Sequence, residues 1–84
     1  MDNQKFIEKC KQVVAGYINR PVNGMNVTVD DIYVVWLSKT LQNNKALLTT
    51  ALNDGMYYEL TYNGDKKELY FDVYKKRVNI KFNL

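Results

Sequence analysis

The chain has 84 residues, 46% of them hydrophobic and 25% charged, with a net charge of +3 from 12 basic and 9 acidic side chains. This composition excludes a disordered chain, and the length suits a single domain with one modest core. One cysteine excludes an internal disulfide framework. The lack of histidine removes the commonest general base and metal ligand, and no apolar run reads as a signal peptide or a membrane span.

The first element is an amphipathic helix over about 3–19. Phe6, Ile7, Cys10, Val13, Val14, Tyr17 and Ile18 keep the i, i+3, i+4, i+7 spacing of one helical face. Asp2 or Asn3 can accept from the free N–H groups of the first turn, and Pro21 ends the helix by Arg20. Pro21 to Asn26 reads as a loop with a turn at Asn23-Gly24. Thr28 to Asp31 could open a short helical turn; a lead-in to the next strand is the preferred reading, because Ile32 to Leu37 is β-branched, aromatic or apolar throughout.

Four strands are expected at about 31–41, 45–52, 56–62 and 67–75. The first is apolar on both parities, with Ile32, Val34 and Trp36 on one side and Tyr33, Val35, Leu37 and Leu41 on the other. An Asn43-Asn44 turn would pair Val35 with Leu52, Leu37 with Thr50 and Leu41 with Ala46. A loop of Asn53, Asp54 and Gly55, with Gly in the left-handed position, would pair Leu52 with Met56, Thr50 with Tyr58, Leu48 with Leu60 and Ala46 with Tyr62.

The last two strands form the plainest hairpin. Met56, Tyr58, Leu60 and Tyr62 alternate with Tyr57, Glu59 and Thr61, and Leu69, Phe71 and Val73 alternate with Glu68, Tyr70, Asp72 and Tyr74. A loop of Asn63 to Lys66 pairs Tyr62 with Lys67, Leu60 with Leu69, Tyr58 with Phe71 and Met56 with Val73. An odd-length loop would mix the faces; a two-residue Asn63-Gly64 turn keeps parity and stays open. The segment from Val78 to Leu84 also alternates. It can extend the fourth strand, form a fifth over 78–83, or pair with another subunit.

The fold class is therefore α+β: an N-terminal helix packed on an antiparallel meander of four to five strands, in two layers. One sheet face collects Val35, Leu37, Leu41, Leu48, Leu52, Met56, Tyr58, Leu60, Leu69, Phe71 and Val73 against the helix. The other carries Ile32, Val34, Trp36, Leu47, Ala51, Tyr57, Tyr70 and Tyr74 among Thr40, Thr49, Glu59, Thr61, Glu68 and Asp72.

Chemistry is sparse. Cys10 lies on the apolar helix stripe and reads as a small core residue. Asp30 and Asp31 are adjacent and read as caps or strand entry. No catalytic residue, metal site or cofactor is expected. The aromatic face and the tail make the candidate protein interface: Trp36, Tyr57, Tyr70, Tyr74, Val78, Ile80 and Phe82. An alternative is weak nucleic-acid binding, with Lys66, Lys67, Lys75, Lys76 and Arg77 along one sheet end as candidate phosphate contacts; Glu59, Glu68 and Asp72 among the aromatics disfavour base stacking on that face. The expected partner is a protein, a second copy included, with no membrane.

Asp30 to Lys76, together with Phe6 to Lys11, resembles a group of small uncharacterised proteins encoded by phages and prophages of Gram-positive bacteria. The resemblance implies a phage origin and action in the bacterial cytoplasm, and carries no functional residue with it. The tail from Arg77 departs from the resemblance.

Overall fold

The computed structural model describes residues 1–52, 54–78 and 80–83. Helix α1 spans Asn3–Ile18. Asp2 caps it, its carboxylate accepting from the Lys5 N–H at 2.8 Å. Phe6, Cys10, Val14 and Ile18, each four residues after the last, are its buried row. Asn19 closes the helix and then clamps the chain that follows. Its side chain donates to the Val27 carbonyl and accepts from the Val27 N–H, both at 2.6 Å. Val27 is buried by this exchange.

Thr28 to Asp31 is a helical turn, not the strand lead-in expected from the sequence. The Asp31 carboxylate accepts from the Thr28 N–H at 2.9 Å and from its hydroxyl at 3.2 Å, so capping chemistry outweighs the β propensity of Val29.

Strands β1 (Ile32–Thr40), β2 (Asn43–Thr50), β3 (Met56–Asn63) and β4 (Glu68–Lys75) follow as an antiparallel meander in the order β1-β2-β3-β4. The α+β architecture is the one expected, with four strands. The molecule measures 42 × 40 × 19 Å. Its short dimension is that of one helix on one sheet, since each layer occupies about 10 Å.

Face assignments on β2, β3 and β4 agree with the sequence reading, while the pairings slide by two residues. Leu60 stands opposite Phe71, Tyr58 opposite Val73 and Tyr62 opposite Leu69; Leu48 pairs with Tyr58 and Ala46 with Leu60. A two-residue slide preserves parity, so the core is unchanged. The β3–β4 reversal starts one residue later because Asn63 still pairs with Glu68. Its carboxamide oxygen accepts from the N–H groups of Asp65 and Lys66, and Lys67 takes the left-handed position with φ 53°. Gly64 is needed for proximity, not for φ: a Cβ there would overlap the Gln42 carbonyl and lie 2.6 Å from its Cβ. Gly55, at φ 70°, does occupy the left-handed position expected of it. The rest of that loop begins at Ala51, and Asn53 lies outside the described residues.

β1 departs further. A bulge between Val34 and Trp36 shifts its register. The extra residue turns Ile32 and Val34 toward the helix, where Ile32 is 1% exposed. Val35 and Leu41, both expected in the core, are exposed. The β1–β2 reversal is Leu41-Gln42, because Thr40 pairs with Asn43, and Leu41 adopts φ 56°. Asn44, expected in the turn, is buried on the helix side, its amide donating to Asn3 Oδ1 at 3.4 Å.

The core joins the helix row to Ile32, Ala46, Leu48, Tyr58 and Leu60. Tyr17 meets Phe71 edge-on at 5.4 Å and Tyr58 at 6.1 Å. Tyr58 and Phe71 stack, 8° from parallel, although they are diagonal rather than direct partners. β4 ends at Lys75, and the described residues beyond it carry no strand. Among the described residues, neither a fifth strand nor a straight extension of β4 is adopted; Asn79, inside the expected 78–83 strand, and Leu84 lie outside the described residues.

Candidate functional site

Among the described residues, no helix or strand lies over the sheet face away from α1. Alternation brings Tyr33, Trp36, Leu47, Tyr57, Tyr70 and Tyr74 to that face, with Thr49, Glu59, Thr61, Glu68 and Asp72 between them. Tyr33, Trp36, Tyr70 and Tyr74 are between 40% and 52% exposed, which for rings on a sheet means one face packed and one open. Trp36, Leu47, Tyr57 and Tyr74 ring a hollow of about 480 Å³, with Glu59, Lys75 and Lys76 at its rim. Three of the expected interface residues, Trp36, Tyr57 and Tyr74, therefore converge, and Tyr70 shares their face. Val78, Ile80 and Phe82 stand apart on the tail, 67%, 63% and 75% exposed.

Ile32, Val34 and Ala51 do not belong to this face. The β1 bulge removed the first two, and Ala51 lies beyond the end of β2. Tyr33 was missed for the same reason. Ile32 to Leu37 is apolar on both parities, so the sequence carried no signal that separates Tyr33 from Ile32 and Val34.

The face is acidic at its middle. Glu59 stands directly opposite Asp72 across β3 and β4, a like-charge juxtaposition. Lys45 reaches Glu59 at 3.7 Å. The Tyr74 hydroxyl is raised above its ordinary pKa, chiefly by the charge of Glu59 and further by partial desolvation and Asp72. Tyr70 is raised mainly by donating to Glu68 Oε2 at 2.7 Å. Both rings thus keep their hydroxyl protons at neutral pH.

The five basic residues do not gather at one sheet end. Lys66 and Lys67 sit in the β3–β4 turn, whereas Lys75, Lys76 and Arg77 lie at the far end of β4. Seven strand residues, Glu68 to Tyr74, lie between Lys67 and Lys75, which sets the two groups about 25 Å apart at the rise of a β-strand. A second hollow, about 500 Å³, lies between the outer side of α1 and Val29. Its walls are the side chains of Gln4, Ile7, Glu8, Lys11 and Gln12.

Among the described residues, no three His, Cys, Asp or Glu side chains are placed to hold a metal ion. No helix among them is long and apolar enough to cross a membrane. Cys10 is fully buried, and burial pushes its thiol from 9.0 up to about 12. Iodoacetamide at pH 8 is expected to spare it in the native protein and to alkylate it after denaturation, as read by intact mass. The unfolded thiol ionises near 9 while the folded one keeps its proton, so the folded state binds the extra proton. Stability is then full below pH 9 and falls as pH rises toward 12. Tyr58, raised chiefly by burial, steepens the same fall from pH 10 upward.

The family model described as "Family of unknown function (DUF6275)" matches residues 7–84, and the chain belongs to that family. No curated protein and no solved structure matches it.

Proposed function

We propose, for this member of a family without an assigned activity, a non-catalytic interaction module that binds protein through its uncovered aromatic sheet face and the adjoining free edge of β4. The observation that carries this reading is the set of half-exposed rings, Tyr33, Trp36, Tyr70 and Tyr74, on a face that no second layer covers among the described residues. Such rings bury large area while few rotors are lost, which makes them interface anchors. Nucleic-acid binding is the weaker reading, because carboxylates occupy the middle of the face and the basic residues are split between its ends. The phage origin and bacterial cytoplasm implied by the resemblance of Asp30 to Lys76 belong to the same proposal.

The test is a photo-crosslinking amino acid placed in living bacteria at Tyr70, with Lys9 on the exposed side of α1 as control. Covalent protein adducts from position 70 and none from position 9 are expected. No adduct from position 70, or the same adducts from both, would overturn the proposal.

A further inference from the structure

We infer that the edge of β4 is completed by the segment 77–82 of a second copy of this chain, exchanged reciprocally so that each copy supplies the fifth strand of the other. The inference rests on the reading above that this side of the sheet binds protein, and adds the partner and the register.

β1 and β4 are the two edges of the sheet. β1 is interrupted by its bulge, a feature that protects an edge. β4 is eight residues long, pairs regularly with β3 throughout and contains no proline. Its helix-side residues Leu69, Phe71 and Val73 are only partly buried, as expected where the next strand is missing.

The tail has the complementary pattern. Set antiparallel to β4, with Val78 opposite Val73, Ile80 falls opposite Phe71 and Phe82 opposite Leu69. Three exposed apolar side chains then extend the covered face. The same register puts Arg77 opposite Tyr74 and Lys81 opposite Tyr70 on the open face, where each cation can lie against a ring. Both cations are then diagonal to Asp72, and Lys81 is also diagonal to Glu68, within reach of long side chains. The segment supplies the positive charge that the facing Glu59 and Asp72 call for. Two bare faces laid together would instead bring those carboxylates against their own copies.

A chain cannot readily fold this segment onto its own β4. The return would be a two-residue hairpin at Lys75-Lys76, whose favoured turns require positive φ and select Asn or Gly. Lys75 is also held opposite Met56, and the Lys76 N–H donates to the Gly55 carbonyl at 2.7 Å. The chain is thus still tied to the β3 side of β4 at Lys76, where a turn back onto the free edge would have to begin. Because β4 ends at Lys75, the face alternation can reset before Arg77.

The test is a charge exchange read by sedimentation velocity from micromolar to submillimolar concentration. One variant carries Tyr70→Lys and Tyr74→Lys, the other Arg77→Glu and Lys81→Glu; all four positions are exposed, and circular dichroism confirms each fold. The wild-type chain is expected to dimerise and each variant alone to lose at least about tenfold in affinity through like-charge contacts. An equimolar mixture is expected to dimerise again, because one contact is then wild type and the other is Glu against Lys. A wild-type chain that stays monomeric, variants that dimerise normally, or a mixture that remains monomeric would each overturn the inference. Adducts from position 70 to foreign proteins alone would leave the interaction module standing and remove the second copy as its partner.

Discussion

Leu60→Ala is expected to destabilise the fold by about 2–5 kcal/mol, the range for a buried leucine whose cavity cannot collapse. Leu60 is fully buried, between Ala46 on β2 and Phe71 on β4 and beneath the helix row. A domain of this size has stability of only about 5–15 kcal/mol, so the variant should sit near the edge of folding. Thr61→Ala, one residue on and facing the open side, is expected to change stability by no more than about 0.5 kcal/mol. Urea denaturation of the two variants measures the contrast. Equal losses would mean that the face assignment of β3 is wrong.

Gly64→Ala is expected to cost about 1–3 kcal/mol, although the position is at a surface turn. The added methyl would run into the Gln42 carbonyl, which is backbone and cannot swing aside. The Gly64 N–H also donates to Asn43 Oδ1 at 3.2 Å, so the two reversals at this end of the sheet are locked together. Gly16 supplies the opposite case: apart from its chain neighbours and the helix's own backbone, no atom lies within 4 Å of its missing Cβ, and it sits inside α1. Gly16→Ala should raise stability by about 0.5–1 kcal/mol through helix propensity alone. Thermal melts of both variants read the difference in sign.

Parity was legible in the sequence wherever a strand alternated. Tyr58, Leu60, Phe71 and Val73 lie toward the helix as their spacing implied, and the α1 stripe from Phe6 to Ile18 could be read directly. Register was not legible to better than two residues, because a two-residue slide leaves every side chain on the same face. The deciding contacts are local and polar: the Asn63 carboxamide on two turn N–H groups, and a left-handed Lys67 where sequence patterns favour Gly. The β1 bulge was hidden because Ile32 to Leu37 is apolar on both parities, so no mismatch flagged the extra residue. For the candidate site, the rings of Trp36, Tyr57, Tyr70 and Tyr74 were found from alternation alone. Tyr33 was lost to the bulge. The separation of Lys66 and Lys67 from Lys75, Lys76 and Arg77 emerged only once β4 had fixed ends.

The free β4 edge, with its acidic and aromatic flank, is central to this account, and amide hydrogen exchange at low and high protein concentration tests it most directly. β1 is the internal control, being the other edge of the same sheet. Raising the concentration is expected to slow exchange in Glu68–Lys75 and in residues 77–82 together, while Ile32–Thr40 is unchanged. Protection that appears on β1 instead, or exchange in β4 that is the same at every concentration, would contradict the account.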